Sequence, residues 1–454
     1  MNLGLFDAVV LSPCGFHLDP RHEYWAKSLE DAGYQTLRFE VLEDADDGSL
    51  SRFLRLQNGL LTVGSNRKIS NQEFRLKVGA DDFPAKSPLG RYMKARLSRM
   101  LYAISHDSLC NLTPSVVVAN DLLGAVLAKA LWGTTDCRII YDAQEVFTDS
   151  YDLLGGPVFS ESERIAWIEL ESNVCKRADL TVTISPGIAQ LYKTRHDAVC
   201  EILPNYIPKA RSEIRQSDSS SRPKRFVLIG RADPHRGLEE LVESWDIPED
   251  IATLDLIMPE TPQRGRLEAH CSQVKRLHAG PRFVAAVPPD QMIRTLSFYD
   301  VGILPYKYPY PYSHASPNKF GEYVGAGLAV LANDQPFVTE QVSKHSLGQI
   351  FSWGASNEFL ASVFNLSDSD NLGEITENVK TAFETSLNWE SAGTQVWRFI
   401  GETKPTRSRP DVSELSKPDE VTQFCEEASK FEELVWRCRR QFIKFAQIAW
   451  TRFR

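Results

Sequence analysis

The sequence lacks the long apolar run that a membrane-spanning helix needs. No stretch of its 454 residues approaches about 18 consecutive apolar positions. Residues 1–30 also lack the basic-then-apolar pattern of a secretory signal. We therefore expect a cytoplasmic protein.

Patterns of metal ligands and an excess of positive charge are absent as well. The eight cysteines are scattered, without a CxxC pair or a Cys/His cluster, so we expect reduced thiols and no zinc site. Asp368-Ser369-Asp370 matches the letters of a DxD motif, but it lies in a polar segment that we interpret as a turn, and we predict no metal. The net charge of −9 argues against a nucleic-acid partner.

Strand-like and helix-like segments alternate in two series, one on each side of a serine-rich stretch at 212–223. Such alternation predicts parallel sheets covered by helices. We therefore predict an α/β fold with two Rossmann-like, doubly wound domains, at 1–211 and 224–385, facing each other across a cleft. A helix at 386–403 is expected to return toward the first domain.

The end of the chain has a different composition. Residues 404–418 are rich in proline, serine and charge and are predicted to be a tether, and 419–454 are predicted to be a helical tail. On a helical wheel Phe442 and Phe445 share an apolar face, and Arg440 and Lys444 lie opposite. This pattern favours peripheral contact with an anionic membrane at its inner face, or packing on the protein itself or on a partner subunit.

The most informative run is Ser316–Ala332. Ser316 is expected to cap a helix, Pro317 suits its first position, and Gly327 suits its end. Lys319 and Glu322 share one face of that helix. A helix start with a lysine favours phosphate, and a carboxylate one turn deeper can accept hydrogen bonds from two ribose hydroxyls. The alternative is an ordinary capped helix whose charged pair is solvated.

This run resembles the SPxKxFEYxAxGxPV signature of the retaining group-1 (family 4) glycosyltransferases, in which the glutamate holds the ribose of the donor. The resemblance implies the GT-B fold. In that family the base is held near a segment that here is Val284–Pro288. The donor-binding candidates are Gly15, Gly230, Val287, His314, Ser316, Pro317, Asn318, Lys319 and Glu322.

A second segment, VLIGRADPHRGLEELVESW, resembles the GR…KG element of the same family. Arg231 and Arg236 are therefore predicted to stabilise the charge that develops on the leaving diphosphate. Arg236 stands where the family has a lysine. With Glu145, these two arginines are the predicted catalytic residues.

The first series of strands carries two further matches. Asp19-Pro20-Arg21 resembles the family's DPR element, and Tyr141–Glu145 resembles YDAHE. Two positions depart from the family: Gln144 replaces a histidine, and His314 replaces the glutamate eight residues before Glu322. The acceptor-side candidates are Asp19, Asn120, Asp121 and Gln144.

The resemblance implies a retaining glycosyltransferase with a nucleotide-diphosphate sugar as donor substrate, without a cofactor, and with a glycan or a lipid-linked acceptor. Two other hypotheses stay open. A non-catalytic relative that binds a nucleotide-sugar or acts as a scaffold is favoured by Gln144 and His314. A sugar-nucleotide epimerase would use the same donor clamp but needs a further acid–base pair.

Overall fold

A computed structural model describes residues 3–15, 19–42, 53–65, 67–78, 83–105, 109, 112–150, 159–214, 222–232, 236–305, 312–352 and 354–403. The predicted tether and helical tail at 404–454 lie outside the described residues, and so does most of the predicted linker. No helix in the described part of the chain is long and apolar enough to cross a membrane.

The first domain is an eight-stranded sheet. Its strands are β1 (Ala8–Ser12), β2 (Thr36–Leu42), β3 (Phe53–Gln57), β4 (Leu60–Gly64), β5 (Val116–Asn120), β6 (Arg138–Ala143), β7 (Leu180–Thr183) and β8 (Cys200–Ile202). Their order is β3-β4-β2-β1-β5-β6-β7-β8, and only β3 runs antiparallel. Its helices are α1 (Pro20–Asp31), α2 (Asn71–Val78), α3 (Pro88–Ile104), α4 (Asp121–Trp132), α5 (Phe147–Ser150), α6 (Glu161–Cys175) and α7 (Pro186–His196).

The second domain is a six-stranded parallel sheet. Its strands are β9 (Lys224–Ile229), β10 (Ala252–Met258), β11 (Arg282–Ala285), β12 (Val301–Leu304), β13 (Ala329–Asn333) and β14 (Gly348–Phe351), in the order β11-β10-β9-β12-β13-β14. Its helices are α8 (Leu238–Ser244), α9 (Pro262–Gln273), α10 (Met292–Leu296), α11 (Asn318–Gly325), α12 (Pro336–His345), α13 (Ser356–Ser367) and α14 (Ser369–Thr385).

The central strands show why this sequence forms parallel sheets. Every residue of β1, β5 and β13 is buried. Strands covered by helices on both faces need such continuous apolar runs, and β-branched valine fits the pleated backbone. The predicted pair of doubly wound sheets is therefore confirmed.

Two local features differ from the sequence-based picture. No element was predicted within 43–85, yet β3 and β4 form a hairpin there whose turn is Asn58-Gly59, both with positive φ. Asp368-Ser369-Asp370 is not an open turn. Asp368 caps α14, since its Oδ1 accepts a hydrogen bond of 3.0 Å from the Asn371 N–H.

The chain returns to the first domain through α15 (Trp389–Ala392) and α16 (Thr394–Glu402). The Trp389 ring packs edge-on against Tyr24 and Trp25, each at 5.5 Å between centroids. The Trp389 indole N–H also donates to Ser28 Oγ at 2.9 Å. Both sheets thus belong to one compact unit.

Helix α11 lies directly against the connecting segment, the stretch after β8 whose described residues are 203–214. A Cβ atom added to Gly321 would lie 2.2 Å from the Asn205 carbonyl oxygen, and one added to Gly325 would lie 2.2 Å from Ile207 Cδ1. At Gly321 the helix therefore lies directly against the backbone, and at Gly325 it lies against the Ile207 side chain.

We expect Gly321→Ala to destabilise the protein, because the methyl group meets backbone that cannot rotate away. Gly265→Ala is the matched control: Gly265 also lies in a helix, and nothing is within 4 Å of its added Cβ. The control should gain up to about 1 kcal/mol from helix propensity. Thermal unfolding measures both, and equal effects would contradict the close approach.

Candidate functional site

The site is built at the carboxyl edge of the second sheet, where ligands of doubly wound folds bind. The Tyr323 hydroxyl accepts a hydrogen bond from the Ile229 N–H at 3.2 Å and donates to the Ile303 carbonyl at 3.3 Å. Tyr323 therefore ties α11 to the ends of β9 and β12. Gly230 and Arg231 follow β9 directly, so they leave the sheet beside α11.

The start of α11 differs from the expectation. The helix begins at Asn318 with Pro317 as the N-cap, and Ser316 does not cap it. The Ser316 hydroxyl instead accepts a hydrogen bond from the Asn205 N–H at 3.3 Å, and the Asn205 amide donates to the Ser316 carbonyl at 2.9 Å. Tertiary contact with the connecting segment has replaced local capping.

The end of α11 agrees with the expectation. Gly327 has φ +79°, and the Leu328 N–H donates to the Tyr323 carbonyl at 3.0 Å. This is the hydrogen bond of a Schellman C-cap, which needs a residue in the left-handed region.

Glu322 lines a cavity of about 250 Å³ between the two domains. The cavity is also lined by Tyr24, Arg211, Asp290 and Ile293. Burial raises the pKa of the Glu322 carboxyl, while the positive charges of Lys319 and Arg211 act to lower it. The carboxylate is therefore half-buried, close to two cations and open to a ligand-sized space.

The two predicted catalytic arginines lie at element ends. Arg231 follows Gly230, whose φ is +125°, and Arg236 immediately precedes Gly237, the N-cap of α8 with φ +64°. Both arginine side chains are half-buried. Their convergence with Glu322 on one leaving group stays a prediction.

Other donor-side candidates occupy different positions. Val287 is half-buried beyond β11 and does not line the cavity of Glu322, whereas Asp290 and Ile293 do. His314 lies at the domain junction: a Cβ added to Gly187 of α7 would lie 2.6 Å from its Nδ1. Asn318 is exposed at the helix start.

In the first domain, three acceptor-side candidates hold structural hydrogen bonds. Asp19 caps α1 by accepting from the Arg21 N–H at 2.9 Å. The Asn120 amide donates to the Leu11 carbonyl at 3.1 Å. The Gln144 amide donates to Asp142 Oδ2 at 3.4 Å. Gly15 is buried just after β1, and Glu145 is exposed after β6.

Asp121 is the most unusual of the candidates. It follows β5 with φ +57°, a conformation that few side chains adopt. Burial, together with the negative charges of Glu145, Asp19 and Asp142, raises the pKa of its half-buried carboxyl to about 8. A strained backbone at such a strand end is typical of functional sites.

The interaction that joins these parts was not predicted from the sequence. The Arg21 guanidinium donates to both Asp142 oxygens, at 2.7 and 2.8 Å, and to Asn205 Oδ1 at 3.1 Å. The Trp25 indole N–H also donates to Asp142 Oδ2 at 2.7 Å. Arg21 and Asp142 stood within the two matched motifs, but their pairing across the fold carried no sequence signal.

Comparison with solved structures identifies the architecture. Sucrose-phosphate synthase from Thermosynechococcus elongatus matches with a TM-score of 0.60 at 15% identity, covering 87% of this chain and 98% of that one. HepE from Anabaena, in complex with UDP and glucose, matches with a TM-score of 0.59 at 14% identity, covering 87% and 100%. The fold is GT-B.

A third structure agrees. The α,α-trehalose-phosphate synthase of Burkholderia xenovorans, in complex with glucose-6-phosphate, matches with a TM-score of 0.59 at 12% identity, covering 87% of this chain and 99% of that one. No protein-family model and no curated protein sequence matches the chain. The GT-B fold implied by the sequence motifs is confirmed by these structures.

Removing Arg21 should be costly, because it leaves the Asp142 carboxylate buried without its counter-charge. We expect Arg21→Ala to lower the free energy of unfolding by about 3–5 kcal/mol. Lys27→Ala, which breaks the exposed pair with Asp31 in the same helix, should change it by less than about 1 kcal/mol. Urea titrations of both variants measure the difference, and equal losses would contradict the central role of Arg21.

Asp121 should make stability depend on pH. Its pKa is raised from 3.8 to about 8 in the folded chain, so the native state keeps a proton that the unfolded chain has released. Wild-type stability therefore falls as the pH rises between about 4 and 8.

Asp121→Asn keeps the polar shape, tolerates positive φ and cannot ionise. We expect the variant to gain stability over the wild type as the pH rises from 5 to 9. Urea midpoints at several pH values measure this, with the exposed Asp250→Asn as control. A pH-independent difference would contradict the raised pKa.

Proposed function

We propose that this protein is a retaining glycosyltransferase that moves a sugar from a nucleotide-diphosphate sugar to a glycan or lipid-linked acceptor. The observation that carries the proposal is Glu322. Its carboxylate lies on α11, one turn from the helix start, and lines a cavity between the two domains of a GT-B fold. The hydroxyls of a vicinal diol bound there would donate hydrogen bonds to this carboxylate.

The basic residues fit the same reaction. Departure of a nucleoside diphosphate places negative charge on the phosphate, and preorganised cations stabilise that charge. Arg231, Arg236 and Lys319 all belong to segments at the carboxyl edge of the second sheet or at a helix start beside it. No group of three metal-ligating side chains occurs in the described ranges.

The comparisons support the donor class. HepE from Anabaena is bound to UDP and glucose, and starch synthase IV from Arabidopsis thaliana is bound to ADP and acarbose. We propose by analogy that a nucleoside diphosphate is the leaving group here. Surface polysaccharide or glycoconjugate synthesis is the proposed role, and a cytoplasmic location with contact at the inner membrane face is the proposed setting.

A second candidate is a non-catalytic GT-B relative that binds a nucleotide-sugar. It is favoured by Gln144, which cannot relay a proton at neutral pH and is hydrogen-bonded to the buried Asp142. Binding of a nucleotide-sugar without its turnover is the result that would favour this non-catalytic candidate. An epimerase has no specific observation in its favour.

The test is nucleotide release by the purified full chain from UDP-, GDP- and ADP-sugars, with the anomeric configuration of the product read by NMR. We expect Glu322→Ala to raise the donor KM about 10- to 100-fold, since hydrogen bonds to a charged group are lost. Glu374→Ala, an exposed residue of α14, is the matched control. If the purified chain neither binds nor turns over any of these donors, the proposal is refuted.

A further inference from the structure

The cavity of Glu322 is lined by polar groups that form few hydrogen bonds with the described part of the chain. Among the described residues, the Glu322 carboxylate accepts no hydrogen bond, and the Asp290 side chain forms neither a hydrogen bond nor an ion pair. The Arg211 guanidinium has five N–H donors, and within the described residues one of them is hydrogen-bonded, to Tyr24 Oη at 3.2 Å. These groups face one ligand-sized space.

Arg211 is held in place from the first domain. Its guanidinium carbon lies 5.5 Å from the centroid of the Tyr24 ring, a cation–π distance, in addition to the hydrogen bond. The Tyr24 ring is itself fixed by its edge contact with Trp389. Arg211 is thus preorganised, and binding a ligand would cost little side-chain entropy.

The order of groups along α11 indicates which part of a ligand reaches Arg211. A nucleoside diphosphate is a linear arrangement of diphosphate, ribose and base. With phosphate at the helix start and ribose at Glu322, the base extends into the cavity, where Arg211 and Asp290 line the wall with Ile293.

We propose that Arg211 and Asp290 select a nucleobase that carries a carbonyl oxygen beside a ring N–H, as uracil and guanine do. The Arg211 guanidinium donates to the carbonyl oxygen, and the Asp290 carboxylate accepts from the N–H. Adenine presents an amino group beside a bare ring nitrogen, which reverses this pattern. Its amino group would face the Arg211 donors, and its ring nitrogen, an acceptor, would face the Asp290 carboxylate. The inference rests on the proposed function and names the donor class of the same site.

This selection could not be predicted from the sequence, because Arg211 lies at the end of the first domain and Asp290 lies after β11. The described end of the connecting segment brings Arg211 alongside α11, where the Ser212 hydroxyl donates to the Gly325 carbonyl at 2.8 Å. The wall of the pocket is therefore contributed by the junction between the domains and not by the donor-side domain alone.

The experiment is calorimetric titration of the full chain with UDP, GDP and ADP. We expect UDP, GDP or both to bind about tenfold or more tightly than ADP. Arg211→Ala and Asp290→Ala should remove that preference and leave ADP affinity within about twofold. The matched controls are Arg177→Ala and Asp250→Ala, exposed residues that do not line this cavity.

Arg211→Lys provides a second test if the alanine variant unfolds, since it keeps the charge but loses the planar donor geometry. Equal or tighter binding of ADP by the wild type would overturn the inference. So would variants that weaken all three nucleotides equally. Glu322→Ala should weaken the binding of UDP, GDP and ADP alike, and this variant tests the proposed function separately. If the wild type binds none of the three nucleotides, the proposed function and the nucleobase inference are both contradicted.

Discussion

The buried ion pair between Arg21 and Asp142 is the interaction on which the rest of the structure depends. Its two side chains are almost fully buried, and the arginine also donates to the Leu203 carbonyl and to Asn205. A buried charge is tolerated only when it is paired and hydrogen-bonded. Because every member of this network has a partner, it fixes α1, β6 and the start of the connecting segment together.

The same network reaches both sides of the candidate site. Asp142 accepts from Gln144 at the acceptor-side strand end, and Asn205 is hydrogen-bonded to Ser316 just before the donor-side helix. Helix α11 is then held against the connecting segment through Gly321 and Gly325. The two halves of the site are therefore positioned by one continuous set of polar and backbone contacts.

Much of the fold could be predicted because its signals are local. Buried runs such as Val116–Asn120 specify strands by composition, and Gly327 marks the end of α11 by its backbone freedom. The start of α11 could not be predicted in the same way. Ser316 suits a helix cap by type, but its hydroxyl is taken by Asn205, more than 100 positions earlier in the chain. The preference of serine for a helix N-cap was therefore overridden by its tertiary hydrogen bond with Asn205.

The sequence by itself determined the two βα series, the GT-B resemblance and the acidic residue of α11, since each depends on neighbouring residues or on short motifs. Only the tertiary structure decided which side chains surround that residue. Tyr24, Arg211 and Asp290 come from three distant segments, and their meeting at Glu322 depends on how two sheets and their connection pack. Spacing along a chain carries no information about such contacts, because they are made by the folded backbone and not by local conformational preference.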